Sequence, residues 1–250
     1  MQQYGMTFAA IYDRLWSGFA QQVAPAIRSH YEAQPISQRE RSLLDLACGT
    51  GQMMQHFLAH DYRVTGIDLS AAMLAYARRN TAPHDPPLIQ ADAANFSLDD
   101  TFGLVVSTFD ALNHLPDMDA LRACFDNVRR VLASDGLFIF DLNTRAGLYA
   151  NWNNVLVTDH EDVFVVSRGV YDGESDRAHT RLTGFLQRED GAYDRFAETF
   201  YNTVFAMDAV RGLLLDVGFS DAYPASFKDL NTPLDAPELQ NRVFFVARRQ

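Results

Sequence analysis

The feature that most constrains this chain is a regular alternation of short apolar strands and amphipathic helices between residues 42 and 143. The strands are predicted over SLLDLA, YRVTGIDLS, PLIQADA, FGLVVSTF and GLFIFDLN. Helices are predicted at about 51–60, after Ser70, and from Asp117 to Leu132, where Gly136 is suited to the left-handed position that follows a helix. Strands that alternate with helices form a parallel sheet covered on both faces, so this part predicts an α/β fold.

In the rest of the chain the apolar residues recur at other spacings. Residues 6–32 have the apolar spacing of an amphipathic helical region, and from about residue 155 the period becomes two, with turns at YDGESD and EDGAYD. MDAVRGLLLDVGF then predicts a helix stopped by glycine, and FSDAYPASF and NRVFFVARR predict two final strands. We therefore predict a helical N-terminal cap over 1–40 and one domain over 41–250. That domain contains an antiparallel ribbon inserted at about 152–205.

Composition excludes several classes of protein. The chain has 250 residues, of which 48% are hydrophobic, and a formal net charge of -11. An acidic chain of this kind does not offer the basic face that nucleic acids require. There is no apolar run of about 18 residues and no basic segment followed by an apolar block, so neither a membrane span nor a signal peptide is predicted. With only two cysteines, Cys48 and Cys124, a disulfide framework is not expected, and a cytoplasmic protein is predicted.

The stretch LLDLACGTGQM places a glycine turn between the first strand and the first helix of the alternating region. Such a turn can hold a nucleotide, but a dinucleotide fingerprint requires a third glycine where Met54 stands. The turn also has no lysine for phosphates, which excludes a P-loop. The turn is therefore predicted to bind a nucleoside without a pyrophosphate.

Carboxylates stand in or at the end of the first three strands. Asp45 lies inside an apolar strand, where a carboxylate needs N–H donors or a cation, and we expect it to accept from the glycine turn and to face a bound ammonium. Asp68 ends the second strand, where a carboxylate accepts two ribose hydroxyls. Asp92 and the N–H of Ala93 can bind adenine. Apolar contacts for a purine or a thioether come from Met53, Leu69 and Met73. A ribose, an adenine and an amino-acid group describe S-adenosylmethionine.

Five segments occur in a characteristic order: LLDLACGTGQ, VTGIDLSAAMLAYAR, QADAANF, FGLVVSTFDALNHL and LLLDVGF with the final strand. Together they resemble class I S-adenosylmethionine-dependent methyltransferases over about residues 8–250. The resemblance implies a Rossmann-like sheet of seven strands, the last antiparallel. It also implies that Asp45, Ala47, Gly49 and Gly51 line the methionine end, that Thr108 closes the site, and that Tyr12 approaches the cofactor carboxylate. FAAIYDRLW and the ribbon are similar to bacterial small-molecule methyltransferases, including amino-sugar N-methyltransferases, in which both segments cover the substrate.

The candidates for contact with the methyl acceptor follow the fourth strand or lie in the covering segments. Asp110 and His114 are candidate bases, needed when the acceptor must lose a proton, and Asn113 is a candidate for orienting it. Tyr4, Trp152, Tyr193 and Tyr201 are predicted to line the pocket of the methyl acceptor, since an aromatic ring can stabilise a cationic amine. His56 and His60 lack the third ligand of a metal site, and Cys48 is not expected to act as a nucleophile because the cofactor should bury it.

The predicted function is transfer of a methyl group from S-adenosylmethionine to a nitrogen or oxygen of a small metabolite, without a metal. Proximity and orientation would supply most of the rate enhancement. The acidic composition and the aromatic ribbon favour an amine as acceptor. A catalytically silent module that binds S-adenosylmethionine is the first alternative, and a nicotinamide-dependent oxidoreductase is the second. The expected partner is the small-molecule acceptor, with no nucleic acid or membrane, and the expected state is a monomer or homodimer.

Overall fold

A computed structural model of the chain describes residues 4–250. A mixed sheet of eight strands forms its centre. The strands are β1 (Ser42–Leu46), β2 (Arg63–Asp68), β3 (Leu88–Gln90), β4 (Phe102–Ser107), β5 (Leu132–Asn143), β10 (Phe219–Ser226), β11 (Asp229–Pro233) and β12 (Arg242–Arg249). Their order across the sheet is β11-β10-β12-β5-β4-β1-β2-β3. The first five are mutually parallel, and β12 pairs antiparallel with both β5 and β10. The predicted parallel α/β core is confirmed, and the short β11, which pairs only with β10 among the described strands, makes eight strands instead of seven.

Helices cover both faces of this sheet because its central strands are apolar on both sides. In β5, Phe138 and Phe140 pack into one cluster, while Leu137 and Ile139 pack into the other. The first cluster contains α5 (Met118–Val131) and α7 (Met207–Val217). The second contains α2 (Gly18–Glu32), α3 (Gln52–Leu58) and α4 (Ala71–Asn80). This is the three-layer arrangement predicted for a parallel sheet.

Two helix boundaries differ from the sequence expectation. The N-terminal helical region is divided into α1 (Met6–Leu15) and α2, which begins at Gly18. Helix α5 ends at Val131, and Asp135, with a φ of 65°, adopts the left-handed conformation predicted for Gly136. Side-chain caps begin three helices where the sequence offers them: Ser70 caps α4, Asp117 caps α5, and Thr144 caps α6 (Arg145–Trp152), a helix that was not predicted.

The predicted ribbon is a separate antiparallel sheet of four strands, β6 (Val155–His160), β7 (Val163–Asp172), β8 (Arg177–Gln187) and β9 (Tyr193–Thr203). Its inner face forms a third apolar cluster with α1 and the start of α4, which includes Phe8, Met73, Leu182 and Phe200. Helix α1 therefore lies between this four-stranded sheet and the central domain.

One carboxylate fastens α1 to the central domain. Asp13 Oδ1 accepts hydrogen bonds from Gln52 Nε2 at 2.7 Å and from Asn80 Nδ2 at 2.6 Å. Gln52 begins α3 and Asn80 ends α4, and Thr50 in the glycine turn bonds to both of them. The position of α1 is thus linked directly to the turn that follows β1.

Candidate active site

The turn after β1 takes the left-handed backbone conformation at three residues, which suits its two glycines but is unfavourable for Ala47. Ala47, Gly49 and Gly51 have φ values of 60°, 54° and 89°, in the left-handed region. A Cβ on Gly51 would lie 3.2 Å from Ala77, so glycine also allows α3 to approach α4 closely. Met54 occupies the position of the third glycine in a dinucleotide fingerprint, and its Sδ would lie 2.6 Å from a Cβ on Gly66 in β2. The space for Met54 is therefore provided by a glycine in the neighbouring strand.

Asp68 organises this turn from the end of β2. It is buried, and its Oδ2 accepts from Gly49 N at 2.9 Å while Oδ1 accepts from Ser70 N at 2.8 Å. Burial raises the pKa of Asp68, and these backbone N–H groups oppose that shift by stabilising the charged form. Each oxygen makes one of these bonds, which leaves acceptor capacity for a hydroxyl group.

Asp45 makes different contacts from those predicted. The N–H of Gly49 bonds to Asp68, and Asp45 Oδ2 is buried with no hydrogen-bond partner among the described residues. Burial, followed by the charge of Asp68, raises the pKa of Asp45 to about 8. The expectation that Asp45 accepts from the glycine turn is therefore wrong. An unpartnered carboxylate buried below the turn fits a cationic ligand group, as predicted for the ammonium of S-adenosylmethionine.

We call the space above the turn the cofactor cleft. It is a cavity of about 80 Å³ lined by Tyr4, Tyr12, Ala47, Gly49, Asp68, Leu69, Met73, Thr108, Phe109, Ala111 and His114. Most of the predicted cofactor residues thus come together at the carboxyl ends of β1, β2 and β4. The combination of a carboxylate at the end of β2, apolar side chains and an unpaired buried carboxylate beneath fits the ribose, thioether and ammonium of the predicted cofactor.

Five predicted cofactor residues do not line this cleft, and one of them is the buried Asp45 of β1. Gly51 packs against α4, and Met53, on α3, is buried in the second core cluster. Asp92 accepts from Ala94 N at 2.8 Å within its own turn, and Ala93 is buried in the other core cluster. A role for Asp92 and Ala93 at the adenine remains a prediction.

A second cavity, which we call the acceptor pocket, adjoins the cofactor cleft. Its volume is about 340 Å³, and it is lined by Tyr4, Phe8, Tyr12, Trp16, Phe109, Asp110, His114, Asn151, Trp152, Asn154, Leu156, Ser167, Gly169, Thr180, Leu182, Phe200, Asn202 and Arg242. Four residues line both cavities: Tyr4, Tyr12, Phe109 and His114. A molecule in the pocket would therefore meet a molecule in the cleft at these side chains.

The floor of the acceptor pocket is a strained loop held by buried charges. Phe109 and Asp110 have φ values of 67° and 50°, which are uncommon for residues other than glycine. Asp141, in β5, accepts from Phe109 N at 2.6 Å and from Asp110 N at 3.0 Å. Arg242, at the start of β12, donates to Asp141 and, at 2.7 Å, to Asp110. These contacts fix the Asp110 carboxylate, which also accepts from Asn202 Nδ2 at 3.1 Å.

Arg242 and Asp141 were not identified from the sequence. Burial alone would lower the pKa of Arg242, but the charges of Asp141 and Asp110 raise it, so the guanidinium is firmly charged. The guanidinium also lies 4.8 Å from the ring centre of Phe19 and 5.5 Å from that of Phe109. A signal was present in the sequence, because Asp141 interrupts the apolar strand GLFIFDLN as Asp45 interrupts β1, and a buried carboxylate needs a partner.

His114 and Asn113 lie on a short 3₁₀ helix, Ala111–His114, that follows the strained loop. His114 Nδ1 lies 2.8 Å from the carbonyl oxygen of Tyr201, which can only accept. This contact assigns the proton to Nδ1 and leaves Nε2 free to accept one. Asn113 is buried and lines neither cavity. Its amide bonds to the backbone of Asn143 and Thr203, so it positions this segment and does not reach an acceptor.

Two of the four predicted aromatic walls point away from the acceptor pocket. Tyr4 and Trp152 line it, whereas Tyr193 and Tyr201 are each 51% exposed. In β9 the even-numbered residues Phe196, Phe200 and Asn202 are buried, and a strand presents alternate residues to opposite faces. Phe200 and Asn202 therefore supply the contacts expected from the tyrosines. The alternation of residues in β9 is visible in the sequence, but the sequence does not tell which face of the strand packs against α1.

The remaining candidate groups do not form a site. His60 Nδ1 contacts the carbonyl of His56, and within residues 4–250 no cluster of three side chains could hold a metal ion. Cys48 and Cys124 are buried and unpaired, and burial raises the pKa of Cys48, which disfavours a thiolate. None of the described helices has the length and apolar character to cross a membrane.

Comparisons with known proteins agree with this architecture. Residues 43–136 match a family described as "Methyltransferase domain". The Bacillus subtilis protein YqeM, which is named as a methyltransferase, is 28% identical over 246 residues that cover 97% of this chain and 96% of YqeM. The dTDP-3-amino-3,4,6-trideoxy-alpha-D-glucopyranose N,N-dimethyltransferase of Streptomyces venezuelae is 28% identical over 190 residues, 72% of this chain and 77% of that enzyme.

A solved structure extends the likeness to the whole fold. The S-adenosylmethionine-dependent methyltransferase of Clostridium acetobutylicum superposes with a TM-score of 0.80 at 23% identity, over 97% of this chain and 98% of the other. The strand order, the glycine turn and the family match lead to one conclusion. Residues 43–136 of this chain carry a methyltransferase domain, and that domain together with the methyltransferase relatives supports an S-adenosylmethionine-dependent methyltransferase.

Proposed function

We propose that this enzyme methylates the amine nitrogen of a small metabolite, with the donor in the cofactor cleft and the amine in the acceptor pocket. The observation that carries the proposal is the junction of the two cavities at Tyr4, Tyr12, Phe109 and His114. Support for an amine comes from the Streptomyces venezuelae relative, which is an N,N-dimethyltransferase, and from the aromatic lining of the pocket.

In this proposal, Asp68 accepts the ribose hydroxyls, and Asp45 faces the ammonium group of the donor. Leu69, Met73 and Thr108 give the remaining contacts in the cleft. Tyr12, whose ring lies against Gly49 in the turn, closes the cleft from the side of α1. Bound S-adenosylmethionine supplies a methyl group already activated by its sulfonium, so the protein needs no covalent nucleophile.

The protein's own contribution is to align the nitrogen, exclude water and accept a proton. The amine uses its lone pair to form the new N–C bond as the S–C bond breaks, and the electron pair of that bond stays on sulfur. His114 Nε2 accepts the proton that nitrogen loses, since Nδ1 is committed to the Tyr201 carbonyl. Proximity and orientation of two bound reactants can lower a barrier by up to about 7–11 kcal/mol.

The proposal is tested by incubating the purified chain with methyl-labelled S-adenosylmethionine and a panel of matched amines and alcohols. We expect label in small amines. Binding of S-adenosylhomocysteine is measured in parallel by calorimetry. Label only in macromolecules, or only in alcohols, would contradict the proposal. Binding of S-adenosylhomocysteine with no labelled product from any compound or cell extract would instead support a silent binding module.

A further inference from the structure

The charges of the acceptor pocket restrict the class of amine that it can hold. Of the described residues that line the pocket, Arg242 is the one arginine or lysine, and Asp110 is the one carboxylate. Asp141 lies directly behind them, fully buried. Counting Asp141, the group has two carboxylates for one guanidinium. With both carboxylates ionised, the pocket floor thus carries a net negative charge.

The one guanidinium is not available to a ligand anion. Both of its terminal nitrogens are engaged, one by Asp141 and the other by Asp110 at 2.7 Å. Asp141 also accepts hydrogen bonds from the two backbone N–H groups of the strained loop, so the pair of Asp141 and Arg242 helps to hold that loop in place. Freeing Arg242 would leave these buried carboxylates without their cation, which is costly in a buried site.

The rest of the lining suits an uncharged or cationic molecule with hydroxyl groups. Seven aromatic rings surround the space, those of Tyr4, Phe8, Tyr12, Trp16, Phe109, Trp152 and Phe200. Neutral hydrogen-bonding groups come from Ser167 on β7 and Thr180 on β8, and from Asn151 and Asn154 near the end of α6. Aromatic faces stabilise an ammonium ion, and hydroxyl and amide groups bind hydroxyls without requiring charge.

On the basis of the proposed function, we propose that the acceptor is a phosphate-free hydroxylated amine, such as a free amino sugar. This separates the chain from its Streptomyces venezuelae relative, whose name specifies a dTDP-linked sugar. A diphosphate brings two negative charges, and proteins bind such groups with charge-assisted hydrogen bonds from arginine or lysine. Among the residues that the structure describes, the lining offers no cation that is free of a carboxylate.

The test uses matched pairs of acceptors, each amino sugar being offered free and as its thymidine diphosphate conjugate. Methyl transfer is measured with labelled S-adenosylmethionine, and inorganic pyrophosphate is added as a competitor. We expect kcat/KM for the free amine to exceed that of the conjugate by about tenfold or more, the value of at least one missing charge-assisted bond. Pyrophosphate should not inhibit.

Preferred methylation of the conjugate, or inhibition by pyrophosphate that competes with the amine, would overturn this inference and leave the proposed function intact. Label in neither member of any pair, with S-adenosylhomocysteine still bound, would overturn the proposed function and the inference together.

A variant tests whether the carboxylates around Arg242 cause the preference for the free amine. Asp110→Asn removes one carboxylate from Arg242, and we expect the ratio of free amine to conjugate to fall about tenfold. Asp119→Asn, on the exposed surface of α5, is the matched control and should leave the ratio unchanged. An unchanged ratio in a folded Asp110→Asn protein would overturn the charge argument. Should that variant fail to fold, the pyrophosphate competition on the unmodified chain decides.

Discussion

The cofactor cleft and the acceptor pocket meet at four residues but are built in different ways. The cleft is formed mainly by residues at the ends of β1, β2 and β4, where a hydrogen bond from Gly49 N to Asp68 holds the glycine turn. The pocket is formed by side chains from α1, α6, the four-stranded sheet and β12. The cleft therefore depends on local geometry, which a short sequence motif determines. The pocket depends on the packing of distant segments, so its residues can change while the cleft stays the same.

The largest expected effect concerns the buried charges beneath the acceptor pocket. Asp141→Ala removes the partner of Arg242 and the acceptor of two backbone N–H groups, so we expect a loss of about 3–5 kcal/mol in the free energy of unfolding. Urea denaturation measures it. Asp216→Ala, which breaks an exposed pair with Arg122, should cost less than about 1 kcal/mol. Equal effects of the two substitutions would mean that the pocket floor does not depend on buried charge.

The next effect tests whether the junction of the two cavities takes part in chemistry. His114→Ala removes the Nε2 proton acceptor, and we expect kcat at saturating donor to fall about 100-fold. His114 also lines the cofactor cleft, so donor affinity is measured separately. His179→Ala is the control, since His179 packs against Tyr201 in the four-stranded sheet and lines neither cavity. A His114→Ala enzyme of normal kcat would show that water takes the proton.

A substitution in the cleft tests its dependence on a single carboxylate. Asp68→Ala removes the proposed bonds to the ribose and the acceptor of the backbone N–H groups of Gly49 and Ser70, so donor binding should weaken by roughly 2–3 kcal/mol. Calorimetry with S-adenosylhomocysteine measures the change, and the exposed Asp99→Ala serves as control. If the affinity is the same in both variants, the ribose does not bind at the end of β2.

The smallest effect, counted per pH unit, is a pH dependence of donor binding in the cleft. Without donor, Asp45 has a pKa of about 8 and is protonated at neutral pH. A bound ammonium lowers that pKa, so binding releases a proton, and donor affinity should rise by up to about tenfold per unit between pH 5 and 7. Over the same range the donor-free protein should lose stability, because its folded state holds the proton more tightly than the unfolded chain.

Calorimetry in buffers of different ionisation enthalpy detects the released proton directly. Asp45→Asn cannot release it and provides the matched control, with an affinity that does not change over this pH range. Proton release of the same size from the variant would show that another group titrates.

The sequence predicted the cleft better than the pocket for a physical reason. Asp68 and the glycine turn could be located because strand ends and turns are determined by nearby residues. The error at Asp45 arose because two carboxylates compete for the same N–H groups, and only three-dimensional geometry assigns Gly49 N to Asp68.

In the pocket, long-range packing decides which residues matter. The alternation in β9 was evident, but the choice of Phe200 over Tyr201 depends on where α1 packs. Arg242 could not be linked to Asp110 from the sequence, since 132 positions separate them and only the pairing of β12 with β5 brings them together. Trp152 lines the pocket from a helix that was not predicted, and its role as a wall around the acceptor stays a prediction.

The attachment of α1 through Asp13 has a kinetic consequence. Tyr12 on this helix borders both cavities, so a movement that releases the spent donor also uncovers the other reactant. If the same nitrogen receives two methyl groups, the donor must be exchanged between them, and the singly methylated compound is free to dissociate at that moment. Intermediate and final products should then accumulate together early in the time course, and their ratio should respond to how firmly one aspartate holds a helix in place.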